Sequence, residues 1–321
     1  MEFRLRPLAK KVLPQAVVDA LRSQALNLPH AAERIRAQRA FSAATNAPPY
    51  LGVDVLETLQ NKYSPPPEYG WDERAVEVRG MQRAARILRL PGARLADSFL
   101  ELGCWDGMVC SGLCLEGKSA TAIDSRDDGF DARASRAGAR LLRMDAAQLD
   151  FADECFDFVY SYDAFEHFAS PEAVLREAIR VVKAGGFIHL DFGPLYYSAM
   201  GEHAYNSITV PYCQHLFPRQ MLNDFATHRG LKPIRPGRVN GWALESYRQL
   251  WDKYDYILKK VRYRERLDLS HVDLIRMFPS CFKSKSQHFD GFVVASISAL
   301  FRKSSNELGE GETPSSGQLP G

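Results

Sequence analysis

Three acidic residues and a pair of glycines carry the first chemical signal. Phe99-Leu-Glu-Leu-Gly-Cys-Trp-Asp-Gly107 runs from apolar residues into a glycine turn and then into a helical stretch, Met108–Leu115. Glycine lets the chain turn sharply and approach a ligand. Backbone N–H groups at a helix start face polar ligand atoms. Asp124 ends the next apolar run, about twenty residues on, where a carboxylate can accept from both hydroxyls of a ribose. Asp145 ends the third run, Arg140-Leu-Leu-Arg-Met-Asp145, and offers an acceptor for an adenine amino group. Trp105 replaces the middle glycine of a dinucleotide fingerprint and crowds the place of a pyrophosphate, which argues against NAD and FAD. Taken singly, each acid could as well cap a strand end or a turn; three in register point to a common site.

Groups able to move a proton follow. Tyr160-Ser-Tyr-Asp-Ala-Phe-Glu-His167 ends the fourth apolar run. His167 could act as a general base near neutral pH or fix the loop by hydrogen bonds. Asp191, His203 and His215 are rival bases, and His203 sits in the polar, aromatic segment Gly201-Glu-His-Ala-Tyr205. On a helical turn Asp163, Glu166 and His167 would share one side and, with a further ligand such as His203, could hold a divalent ion that acidifies a hydroxyl. A local salt bridge of Glu166 is the simpler expectation, so no metal is expected.

The elements that must position these groups alternate. Candidate strands are 98–102, 120–124, 140–144, 156–161, 187–192, 231–235 and 292–301. Candidate helices lie near 107–116, 129–138, 171–183 and 218–229, the third ended by the pair Gly185-Gly186. Such alternation builds βαβ units in one parallel sheet, and the last strand could insert antiparallel. Upstream, 71–90 reads as a helix with Val76, Val78, Met81, Ala84 and Ile87 on one face. The expected fold is α/β: a Rossmann-like doubly wound, mostly parallel seven-stranded sheet, with a helical N-terminal extension and a helical, aromatic cap formed by late insertions. Residues 1–70 make the extension and a loop, 71–302 the main domain with cap insertions 193–217 and 242–288, and 303–321 a polar tail without the apolar residues to fold. Residues 242–288 read as helical. The basic stretch 1–45 contains an amphipathic helix at Gln15–Arg22, which would pack on the body or touch an anionic membrane surface weakly.

Composition excludes several classes. The net charge of +2 gives no basic field for nucleic acid. Tyr247, Tyr254, Tyr256 and Tyr263 among lysines and arginines could contact RNA, but a solvated helix face is the simpler account. Six cysteines without a Cys-x-x-Cys pair argue against a zinc finger or disulfide scaffold and for a reducing compartment. No run of about 18 apolar residues is present and no signal-peptide core, so the expected location is the cytoplasm.

Across residues 98–193 the chain resembles the class I S-adenosylmethionine (SAM)-dependent methyltransferases, especially the group with the "type 11" methyltransferase domain. The matching pieces are Glu101-Leu-Gly-Cys-Trp-Asp-Gly107, Asp124, Asp145, Phe156-Asp-Phe-Val159, Glu166-His167 and Arg180-Val-Val-Lys-Ala-Gly-Gly186. The resemblance implies that Glu101 and Gly103 lie beside the methionine part of SAM, that Asp124 holds the ribose, and that Asp145 holds the adenine. It adds Cys104, Trp105, Gly107, Ser125, Ala146 and Tyr162 to the cofactor site. His167, His203 or Asp191 would take a proton from a small-molecule or glycan hydroxyl. The insertions 193–203 and 208–217 look like those of bacterial methyltransferases of glycan assembly, and Tyr196, Tyr197, Tyr205 and Tyr212 could stack on a sugar. An NAD-dependent oxidoreductase and an inactive methyltransferase-like interaction subunit are the competing functions.

Overall fold

The computed structural model describes residues 30–67 and 69–305. The helix expected at Gln15–Arg22 and the tail beyond residue 305 lie outside the described residues. The chain divides into two compact units.

One unit comprises Tyr69–Gly193, Ser246–Arg264 and the chain from Ile297 on. It begins with a helix, Glu73–Ile87, here α3, which follows two upstream helices, α1 (30–43) and α2 (Val53–Lys62). Asp72 caps α3 by accepting from the Ala75 N–H at 3.0 Å. Val76, Gly80, Ala84 and Ile87 make its buried face, whereas Val78 points outward with 45% of its surface exposed. Val78 lies about 200° round the helix from Gly80 and so falls on the opposite face; Gly80 lets α3 lie hard against the next helix, α4 (Met108–Leu115). A Cβ on Gly80 would meet Met108 backbone at 2.7 Å, and one on Gly112 would meet the Ala84 Cβ at 2.6 Å.

The sheet is seven-stranded, in the order β3-β2-β1-β4-β5-β7-β6. Its strands are β1 (Ser98–Leu102), β2 (Ser119–Asp124), β3 (Arg140–Arg143), β4 (Phe156–Tyr162), β5 (Val182–Phe192), β6 (Leu258–Leu267) and β7 (Val294–Lys303). Strands β1 to β5 pair in parallel, and β7 joins β5 antiparallel. The helices α5 (Ala132–Arg136) and α6 (Pro171–Val181) complete the crossovers. The order runs outward from β1 in both directions, β2 on one side and β4 on the other, so the carboxyl ends of β1 and β4 flank the switch point where open α/β sheets hold ligands.

Three expectations need correction. The helix before Gly185-Gly186 stops at Val181, and the pair lies inside β5, where pairing slips between Phe156 and Phe158 to absorb it. Residues 231–235 form no strand, because Pro233 and Pro236 lack the N–H a ladder needs. The seventh strand is instead β6, inside the stretch read as helical. Its period-two positions Val261 and Tyr263 are diluted by six charged neighbours, which suit an exposed edge strand that must not recruit another chain. Phe292 and Val293, expected to open the last strand, instead end one turn of helix, Asp290–Val293.

Helix α9 (Leu244–Lys253) follows α7 (Cys213–Leu216) and α8 (Arg219–His228). Within the first unit its Tyr247 and Trp251 are buried against Phe165, Phe192 and Phe301. Tyr254 and Lys253 both reach Glu172, at 2.9 and 2.6 Å. The tyrosines of this stretch therefore do not form one exposed face; Tyr256 and Tyr263 alone of the four are exposed.

The other unit comprises Pro194–Glu245, Glu265–Ser296 and the described residues before Tyr69. Its core is aromatic. Phe292 meets Phe41, Tyr197, His215 and Phe282 at ring distances of 5.8, 5.8, 5.2 and 5.1 Å. Helices α10 (Val272–Met277), α11 (Pro279–Lys283) and α12 (Asp290–Val293) wrap this core. Among the described residues no helix is long and apolar enough to cross a membrane.

Candidate functional site

The carboxyl ends of β1 to β4 gather the residues of the expected nucleoside site. At the end of β1 the chain turns through Gly103 (φ 74°), Trp105 (φ 51°) and Gly107 (φ 75°) before α4 starts. The N–H groups of Gly103 and Cys104 both donate to the Ile123 carbonyl, at 2.9 and 3.0 Å. A Cβ on Gly103 would lie 2.6 Å from the Ala164 Cβ, so the β1 turn and the turn after β4 close against each other. Only glycine supplies both that approach and that φ without strain.

Asp124 stands at the end of β2. Its carboxylate accepts from the Trp105 N–H at 2.9 Å and from the Arg126 N–H at 3.2 Å. Two of roughly four lone-pair positions are thus spent, and the side chain is held in place with acceptor capacity left over. Its carbonyl accepts from Met144 N–H at 2.8 Å, which brings Asp145 beside it at the end of β3. Asp145 is exposed and closes a turn by accepting from Ala147 N–H at 2.8 Å. Ser125 is exposed, Ala146 is buried, and the Cys104 thiol is pushed up by burial, which leaves it a packed neutral group.

Glu101 is buried. The Tyr160 hydroxyl lies 3.2 Å from its carboxyl and 3.2 Å from the Cys110 sulfur. Burial pushes the Glu101 pKa up to about 8, the negative Asp106 adds to the rise, and Arg83 and Tyr160 oppose it. At neutral pH Glu101 is mostly a neutral acid, able to donate as well as accept.

A group absent from the sequence reading borders this turn. Arg79 and Arg83 lie four residues apart on α3. Arg79 donates to the carbonyls of Tyr69 and Gly70 and lies 4.2 Å from the Tyr69 ring centre. Arg83 pairs with Asp163, which also accepts from the Tyr69 hydroxyl at 3.0 Å, and lies 5.0 Å from the Tyr162 ring centre. Trp71 meets Trp105 edge-on at 6.1 Å, and Arg126 covers Trp105 at 4.8 Å. The available signal was the i, i+4 arginine pair following Tyr69-Gly-Trp71.

The candidate proton-transfer groups divide between the units. Asp163, Glu166, His167 and Asp191 belong to the first, at the ends of β4 and β5. The Asp163 N–H donates to the Asp191 carbonyl at 2.9 Å. Glu166 is buried, accepts from Gly193 N–H at 3.1 Å, and lies 3.9 Å from His167 Nε2. Burial, above all, raises its pKa to about 8. His167 keeps 35% of its side chain exposed. Among the described residues no group of His, Cys, Asp and Glu is placed to hold a metal ion; Asp163 is engaged by Arg83 and Tyr69.

His203 and His215 belong to the other unit. His203 (φ 54°) has Nε2 3.0 Å from the Pro194 carbonyl and stacks on Tyr205 at 5.7 Å. His215 is fully enclosed by aromatic rings with Nε2 3.1 Å from the Tyr197 carbonyl, and burial lowers its pKa to about 3, so it is neutral.

Residues 100–190 match the family model described as a methyltransferase domain. The chain is 24% identical over 186 residues to a ubiquinone biosynthesis O-methyltransferase of Pseudomonas syringae pv. tomato, covering 54% of this chain and 75% of that protein. It is 32% identical over 95 residues to the protein of that name from Maricaulis maris, covering 28% of this chain and 37% of that one. A solved SAM-dependent methyltransferase from Methanosarcina mazei is 15% identical, with 65% of this chain and 93% of that chain covered and a TM-score of 0.36. The glycine turn and strands β1 to β5 fall within or beside residues 98–192, the stretch that resembles the methyltransferase domain.

Proposed function

We propose that the chain transfers a methyl group from SAM to a hydroxyl of a small molecule or glycan. The observation that carries this reading is the cradle at the end of β1. A glycine turn closes on Ala164, a neutral buried Glu101 lies beneath it, and Asp124 is fixed by two backbone donors with acceptor capacity to spare. That donor and acceptor set fits SAM. Asp124 would hold the ribose hydroxyls, Asp145 the adenine amino group, and Glu101 with Gly103 the methionine end, flanked by Cys104, Trp105, Gly107, Ser125, Ala146 and Tyr162. SAM supplies a methyl group on a positively charged sulfur, already activated for in-line displacement.

The protein then has to align the acceptor and remove its proton. His167 takes that proton in this reading. It is exposed and follows β4 at the ligand end of the sheet, and an imidazole is the side chain whose charge changes nearest neutral pH. Methylation at oxygen is supported by the relatives, which carry the name O-methyltransferase. Mass spectrometry of a metabolite and glycan extract incubated with the protein and isotopically labelled SAM tests the assignment. Label should appear on a hydroxyl-bearing compound, disappear with Asp124→Ala, and fall at least tenfold with His167→Ala. Labelling undiminished by Asp124→Ala would defeat the cofactor assignment; undiminished by His167→Ala but lost with Asp191→Asn, it would move the base to Asp191.

A further inference from the structure

Beneath the glycine turn, and within the unit that carries it, Glu101, Tyr160, Cys110 and Thr121 lie buried in a row. Glu101 of β1 and Tyr160 of β4 are register partners on adjacent parallel strands, so their side chains share one face of the sheet. The Tyr160 hydroxyl oxygen lies 3.2 Å from Glu101 Oε2 and 3.2 Å from the Cys110 sulfur. That sulfur, on α4, lies 3.5 Å from the Thr121 carbonyl of β2. Burial pushes the Cys110 thiol and the Tyr160 hydroxyl well up, so neither ionises near neutral pH.

The protons in this row can be counted. Its three contacts need three protons if each is to be a hydrogen bond. The thiol brings one, the hydroxyl brings one, and the carbonyl can only accept. The third must come from Glu101 as a neutral acid. The chain then runs one way: the acid O–H donates to the Tyr160 oxygen, the hydroxyl to the Cys110 sulfur, and the thiol to the Thr121 carbonyl. Burial points in the same direction, pushing the Glu101 pKa up to about 8. Of the other groups that face Glu101, Asp106 of the turn adds to the rise, while Arg83 of α3 opposes it but is paired with Asp163. Burial keeps Cys104 and Tyr162 neutral. On β2 the register partner of Glu101 is Ala122, and Asp124 at the end of that strand bears on Cys104.

We propose that Glu101, Tyr160 and Cys110 form a reversible hydrogen-bond relay through which the buried acid gives up one proton when SAM binds, Tyr160 being the positioning residue for the ionised carboxylate. The proposal rests on the reading that the methionine end of SAM lies at this turn. With SAM bound, Glu101 faces an ammonium and a sulfonium against a single carboxylate. A net positive charge in a buried site favours the ionised form of a nearby acid, without contact between the two. The acid proton leaves to solvent, the Tyr160 hydroxyl turns to donate to Glu101 Oε2, and the Cys110 thiol turns to donate to the Tyr160 oxygen. One positive charge enters and one proton leaves, and no heavy atom of the row has to move.

Calorimetric titration of the full chain with SAM at about pH 7, in phosphate and in Tris, tests the relay, because the difference in heat between buffers counts the protons released. The wild type should release about one proton more than Glu101→Gln, a comparison that cancels any contribution from the amino group of SAM itself. Wild-type affinity should rise about tenfold per pH unit from about pH 6 and level off at about 8, and in Glu101→Gln that rise should vanish. Tyr160→Phe removes the donor to the ionised carboxylate and should move the levelling-off upward by about one pH unit. A merely structural loss would instead lower affinity equally at every pH. If Tyr160→Phe does not fold, Cys110→Ala should move the profile in the same direction by less. Equal proton release in the wild type and Glu101→Gln would overturn the relay, and so would an unmoved profile in whichever of the other two variants folds. SAM binding without the extra proton removes the relay alone; no SAM binding at any pH removes the cofactor reading and the relay with it.

Discussion

Glu101 shows how far a residue's surroundings set its chemistry. Its ordinary pKa of 4.5 rises to about 8 because burial strips the charged form of water. Between those values the folded protein holds a proton that the unfolded chain has released. The stability associated with this group is therefore full below pH about 4.5 and is lost as pH rises through about 8. Glu166 acts in the same direction. Glu101→Gln keeps a neutral group of the same shape, so thermal unfolding between about pH 6 and about pH 9 should fall less steeply than in the wild type. An unchanged slope would show that Glu101 is ionised in the folded protein. At Gly103, a methyl group would meet Ala164 at 2.6 Å and face a φ of 74°. Gly103→Ala should destabilise the protein by about 1–3 kcal/mol in urea unfolding and weaken SAM binding in calorimetry.

At the scale of elements, α3 matters more than its position before the sheet implies. It carries Arg79 and Arg83 to the β1 turn, and its register is fixed by Asp72 at one end and Gly80 in the middle. Asp72→Ala removes the cap and should cost about 1 kcal/mol of unfolding free energy, measured in urea at neutral pH. Gly80→Ala forces a Cβ into Met108 backbone and should cost more than the cap, because two packed helices must separate; equal losses would mean that the contact relaxes freely. Strand β6 shows the opposite lesson, since its charges, read as a helix face, belong to an exposed sheet edge.

At the scale of the molecule, each unit has its own hydrophobic centre. In the unit without the glycine turn, Phe292 is the hub: it is fully buried and touches four other rings. Phe292→Ala should lower stability by about 3–5 kcal/mol through the lost burial and the cavity left behind. Denaturant unfolding checks this, and a loss under about 1 kcal/mol would show that the aromatic core collapses to fill the gap.

The sequence by itself determined the glycine turn, the acids at the carboxyl ends of β1, β2 and β3, and six of the seven strands, β5 in its second half only. Those features are local: apolar runs fix strands, and glycine at positive φ fixes turns. Tertiary structure alone decided the rest. That Gly80 must lack a Cβ depends on how closely α3 packs on Met108 of α4. Whether residues 258–267 become strand or helix depends on a partner strand, β7, that begins only at Val294. That Asp163 answers to Arg83 and Tyr69, or that Glu101 holds a proton, follows from distances and burial between segments far apart in the chain, and no local spacing encodes those.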